Sequence, residues 1–181
     1  MKGLVFTEFM SMVGDKFGED MVDDLIDDTA PASGGAYTAV GTYHHEELVN
    51  MVVALSEKVD APVPALINAF GHHLGGVFTA KFPDFFAEVD TTLDFLKKID
   101  NHIHVEVKKL YPDAELPVFN FDDSNPDEFK LVYSSERGFA DLAQGLIEST
   151  SSHYGESFQI ERTDKQKGEL HITEFILRRA A

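Results

Sequence analysis

Tyr133-Ser134-Ser135-Glu136-Arg137, read together with His104 upstream, is the most informative stretch of this chain. In an extended strand, side chains at i, i+2 and i+4 point to one face. Tyr133, Ser135 and Arg137 are then expected to line up as a phenol, a hydroxyl and a guanidinium. All three donate hydrogen bonds, and the last is permanently charged. Such a row suits an acidic ligand with two carboxylates, because Arg grips a carboxylate bidentately and hydroxyls take the remaining lone pairs. Haem carries two propionates, and a histidine on a helix could supply its iron ligand. An ordinary edge strand with a polar outer face would read the same way, so the histidine carries the distinction.

Two of the eight histidines fall in an amphipathic stretch expected to be helical over 91–110. At about 100° per residue, His104 shares a side with Leu93, Leu96, Asp100, Val107 and Tyr111, which is largely apolar. His102 falls opposite, with Lys98, Glu106 and Lys109. His104 is therefore expected inward and His102 outward. A neutral imidazole facing an apolar pocket is a good axial ligand, although a core histidine bonded to a carbonyl fits the same position. By the same count His73 lies on an apolar helix face and His72 opposite it. His44 and His45 stand beside Glu46 and Glu47 at an expected helix start, most simply a solvated terminus.

The apolar spacing predicts helices over 3–17, over a short stretch around Met21, Val22, Leu25 and Ile26, over 44–59 with Thr42 as its cap, and over 64–81. Gly71, Gly75 and Gly76 are poor helix residues, which suggests close packing or the approach of a flat ligand. Beyond Tyr111-Pro112 the pattern changes to strands at 118–121 and 129–135, a helix over 138–154, and a terminal hairpin of 157–162 and 169–178 around Asp164-Lys165-Gln166-Lys167-Gly168. The expected fold class is α+β. A helical N-terminal lobe (about 1–62) is joined to an α+β lobe (about 63–181) with a roughly four-stranded antiparallel sheet. The whole is expected to be a single domain over 1–181.

Lys+Arg 15 against Asp+Glu 32 leaves a net charge of −17. Such a surface repels phosphate backbones and anionic lipid, which argues against nucleic-acid and membrane binding. Apolar residues make up 43%, with 15 Phe, enough for a substantial core. No apolar run approaches the ~20 residues of a membrane span. Glu8 comes too early for a signal peptide, and the absence of cysteine removes thiolate ligands and disulfides. A cytoplasmic location is expected. There is no G-x-S-x-G, P-loop, dinucleotide fingerprint or H-E-x-x-H.

Taken together, several segments make the chain resemble the haem–nitric oxide/oxygen-binding (H-NOX) family of bacteria, related to the sensor domain of soluble guanylate cyclase. They are the opening Met1-Lys2-Gly3-Leu4-Val5-Phe6, the segment Tyr37-Thr38-Ala39-Val40-Gly41-Thr42-Tyr43, the run from Ile103 to Pro112, Pro117, and the Y-x-S-x-R pattern. The resemblance implies haem b between the lobes and His104 as the iron ligand. It implies that Tyr133, Ser135 and Arg137 hold the propionates and that Pro117 presses on the porphyrin. Val5, Phe9, Leu74 and Phe78 would form the distal wall. Members that bind oxygen stably carry a distal tyrosine, and Leu142, five residues after Arg137, matches that position. Leucine cannot donate a hydrogen bond to dioxygen, while nitric oxide needs none. The expected ligand is nitric oxide, with carbon monoxide admitted and oxygen held weakly.

The expected activity is that of a sensor and not an enzyme. Signalling would run in trans, by release of proximal strain, to a histidine kinase or a cyclic-di-GMP enzyme. A haem peroxidase or nitric oxide dioxygenase would need a distal acid–base group, and a cofactor-free acidic interaction module would leave the His–Pro–Tyr/Ser/Arg series unexplained.

Overall fold

The N-terminal apolar spacing becomes α1 (Gly3–Phe17) in the computed structural model, which describes residues 1–180. Phe6, Phe9, Met12 and Val13 are its buried face. The orphan N–H groups at its start are taken by the 37–43 segment: Gly3 N–H donates to Gly41 O (2.8 Å) and Leu4 N–H to Ala39 O (3.0 Å). Phe6 stacks on Tyr37 with ring centroids 4.5 Å apart, so that segment is folded back over the helix it caps. Helix α2 (Glu19–Thr29) and α3 (His45–Val59) complete a helical layer with Val22, Leu25, Leu48, Met51, Val52 and Leu55 inward. Thr42 does not cap α3. Its hydroxyl instead donates to Asp113 Oδ2 (2.8 Å), a residue distant in sequence, and His44 is the capping position, without a side-chain bond.

Helix α4 (Val63–Lys81) starts with Pro64 in its first turn, where a missing N–H costs nothing. Leu66, Phe70 and Leu74 join the N-terminal core. Its other side lies against α8 (Ala140–His153) at very short range. A Cβ on Gly71 would stand 2.5 Å from Leu142 O and 2.9 Å from Gly145 Cα, and one on Gly145 would strike the Asn68 carbonyl oxygen. These glycines therefore serve helix-on-helix contact and not a flat ligand, and Gly76 faces open space.

The short α5 (Pro83–Ala87) leads to α6 (Thr92–Lys98), a π-turn (Ile99–Ile103) and α7 (His104–Leu110), where one uninterrupted α-helix was expected. Four antiparallel strands follow: β1 (Val118–Asp122), β2 (Phe129–Ser135), β3 (Phe158–Lys167) and β4 (Leu170–Arg179), in the order β1-β2-β4-β3. Leu131 pairs with Phe175, Tyr133 with Thr173 and Phe129 with Leu177. This inner row packs on Ala140, Ala143 and Ile147 of α8 and Leu96 of α6 as a second core. The terminal hairpin is longer than expected. Residues 163–167 extend β3, and the turn shrinks to Gly168-Glu169, because polar residues are tolerated on an edge strand. Among the described residues no helix is long and apolar enough to cross a membrane.

Gly71→Ala should lower stability by about 1–3 kcal/mol through overpacking. Gly76→Ala, in open space on the same helix, should raise it by about 0.5–1 kcal/mol. Urea unfolding of the two variants checks both signs.

Candidate functional site

The π-turn is a rare geometry that occurs frequently at functional sites, and here it immediately precedes His104. The His104 side chain is 16% exposed and that of His102 41%, so the inward and outward assignments hold despite the irregular helix. His102 bonds Glu88 at the surface. His104 Nδ1 lies 3.0 Å from Asp100 Oδ1. The carboxylate can only accept, so Nδ1 carries the proton and Nε2 keeps its lone pair. Nε2 has no hydrogen-bond partner among the described residues. Burial pushes the imidazole pKa below its ordinary value, with Asp100 opposing, so the ring is neutral at physiological pH.

Phe119 of β1 links this histidine to the strand motif. Its ring centroid is 5.9 Å from that of His104 and 5.6 Å from that of Tyr133. Its backbone N–H donates to the same Asp100 Oδ1 (3.2 Å). Neither Asp100 nor Phe119 was assigned a role from sequence. The only local signal was that Asp100 shares the His104 side of the helix. Pro117, half-buried, stands at the entry to β1.

Tyr133 is buried on β2, and its hydroxyl accepts from Phe139 N–H (3.1 Å). Burial raises the phenol pKa, so it stays protonated and retains its donor. Ser135 is the last residue of the strand. Its hydroxyl accepts from Arg137 N–H (3.1 Å), which turns the chain. Arg137 is therefore not the third residue of a strand face; it sits in the turn after β2. Its guanidinium pairs with the Glu115 carboxylate and with Glu115 O (3.3 Å). The arginine side chain is 16% exposed and its partner 80%. A sheltered guanidinium with an exposed, exchangeable carboxylate is already set to receive an acid. It opens on a cleft of about 690 Å³, lined also by Tyr43, His44, His45 and His171. His45 is held below the usual histidine range by burial and then by Arg137.

Val5, Phe9, Leu74, Phe78 and Leu142 all belong to, or pack against, the N-terminal apolar core. None carries a hydrogen-bond donor on its side chain. His73, next to Leu74, turns to Glu8 of α1 with Nε2 3.5 Å from Oε2.

The donor set suits haem. A half-buried neutral imidazole with an uncommitted nitrogen matches an axial ligand, and a phenol, a hydroxyl and a guanidinium match two propionates. Comparison with known proteins agrees. The family model described as Haem-NO-binding matches residues 2–162. The Fe(II) unliganded H-NOX protein from K. algicida is 33% identical, covers 100% of this chain and 98% of its own, and superposes with a TM-score of 0.92. Its A71G mutant is 35% identical, with 100% and 97% covered and a TM-score of 0.93. The S. oneidensis H-NOX protein in the Fe(II)NO state is 25% identical, with 98% and 99% covered and a TM-score of 0.88. No curated protein matches the chain. The chain belongs to the H-NOX family, a class of haem-based gas sensors related to soluble guanylate cyclase.

Two outcomes follow for the haem-free protein. Tyr133→Phe leaves the Phe139 N–H without its acceptor and should cost about 1–3 kcal/mol, read by denaturant unfolding. His45 resists protonation in the fold, so the unfolded chain binds its proton first. Stability is then lost as pH falls below about 6.5. His45→Asn should flatten the fall in melting temperature between about pH 8 and about pH 5.5.

Proposed function

We propose that the chain senses nitric oxide through ferrous haem b held by His104, and signals in trans to a separate partner protein. The observation that carries this reading is the Asp100-anchored imidazole, which keeps one nitrogen uncommitted. Bound haem would supply an iron able to take a diatomic gas. Tyr133, Ser135 and Arg137 would hold the propionates, with Arg137 exchanging the exposed Glu115 carboxylate for a ligand one, and Pro117, at the start of β1, would bear on the macrocycle.

Gas choice rests on Val5, Phe9, Leu74, Phe78 and Leu142. A polarised dioxygen needs a hydrogen-bond donor, and these side chains offer none. Nitric oxide and carbon monoxide do not depend on one. The same lack of a distal acid–base group supports a sensor over a peroxidase or dioxygenase.

The route outward is supported by contacts between the start of the chain and the segment that follows α7. Lys2 Nζ bonds Thr42 Oγ1 (2.9 Å) and both Asp113 oxygens (3.2 Å each), and Asp113 follows closely on α7. Release of His104 from the iron would leave its ring held by Asp100 and would free α7 to shift, and Asp113 would then carry Lys2, Thr42 and the first helix with it, as a two-state element biased by a ligand. The partner class we favour is a histidine kinase or a cyclic-di-GMP enzyme.

His104→Gly should lose the proximal bond and regain the native haem spectrum when imidazole is added; an unchanged spectrum in the variant would exclude His104 as the ligand. Leu142→Tyr adds a donor and should slow oxygen dissociation by at least about 10-fold, the factor a bond worth about 1.4 kcal/mol provides, in stopped-flow traces of the reduced protein in air.

A further inference from the structure

We infer that Asp100 is a positioning residue for His104, and that by sharing one carboxylate oxygen between the imidazole and the Phe119 backbone it ties the state of His104 to strand β1. The inference rests on His104 being the iron ligand.

Both bonds end on the same atom. Asp100 Oδ1 accepts from His104 Nδ1 at 3.0 Å and from Phe119 N at 3.2 Å. The second bond reaches across from helix to strand, so the carboxylate is anchored from two elements and cannot turn freely. Its chain segment is the π-turn, an irregularity that an ordinary helix would not need. The π-turn and β1 are in contact, and a cleft of about 320 Å³ between them is lined by Asp100, Asn101, Phe119, Asn120 and Phe121.

Two consequences follow from the chemistry. A charged acceptor on Nδ1–H makes the ring a stronger donor at Nε2, and fixes both tautomer and ring orientation. An oxygen shared by two donors also divides its charge between them. If Nε2 gave electron density to a metal, Nδ1–H would become a better donor and draw on Asp100 more strongly, at the expense of Phe119 N–H; with His104 free, the Phe119 bond would recover. Because Phe119 lies two residues after Pro117 on an edge strand, the shift would reach the segment that includes Pro117.

The test uses Asp100→Asn, which keeps an acceptor without the charge, and Asp100→Ala, which removes it. In the reduced, haem-loaded protein, the iron–histidine stretching mode in resonance Raman spectra should fall in the order wild type, Asn, Ala. On adding nitric oxide, the ratio of detached to attached His104 should rise about 10–100-fold in Asp100→Ala, the usual effect of losing such a partner. In the haem-free protein, ¹⁵N NMR should show the Nδ1–H tautomer in wild type and a shift toward Nε2–H in Asp100→Ala, while the Phe119 amide loses exchange protection. An iron–histidine mode and a tautomer unchanged in both variants would overturn the inference. Should Asp100→Ala fail to fold, Asp100→Asn decides by the same measurements. A wild-type protein with no iron–histidine mode would instead overturn the ligand reading, and the tautomer measurement would still judge Asp100.

Discussion

The hydrogen bond between Asp100 and His104 is the constraint on which the site depends. It settles which imidazole nitrogen carries the proton and leaves the other with an unshared pair in a sheltered place. Burial keeps the ring neutral, and a neutral ring is the form that binds metal. Without that bond the ring could flip or change tautomer, and the phenol, hydroxyl and guanidinium nearby would be a polar patch without a purpose. With it, Phe119 and Tyr133 extend a continuous aromatic path from the helix to the strand that carries Tyr133 and Ser135.

The two cores of the molecule meet along α4. One side of this helix completes the N-terminal layer, and the other lies on α8, where glycines allow backbones to approach closely. A close-packed contact of that kind would pass on a displacement as a rigid shift, since a packed interface does not deform continuously. The Lys2–Thr42–Asp113 cluster provides a second connection, between the first residues of the chain and the segment that follows α7. Isolated surface ion pairs contribute little stability, so the part of this cluster is to join the two segments.

Much of this architecture can be read in the residues themselves. The separation of His104 from His102 follows from helical angles alone, and it survives because one π-turn alters the angles by less than the distance between the two faces. The order of helices and strands follows from the change of apolar period after Tyr111-Pro112. The misreadings have specific causes. A π-turn changes backbone hydrogen bonding without a side-chain signature. Arg137 shares a face with Tyr133 and Ser135 only if extended chain runs on past the strand, and alternation does not show where it stops; the Ser135 hydroxyl turns the chain, and Gly138, at φ 63°, lies just beyond. Thr42 looked like a helix cap because local sequence cannot show that Asp113 claims its hydroxyl. The glycines of α4 face another helix, and nothing within α4 itself distinguishes that from the approach of a ligand.

An absorption spectrum of the purified, reduced protein, recorded alone, in air and with nitric oxide, decides whether this chain is a nitric oxide sensor. It should show a five-coordinate, histidine-bound ferrous haem that changes on nitric oxide and forms no lasting complex in air. A colourless protein from haem-replete cells, or a stable oxygen complex, would rule that out.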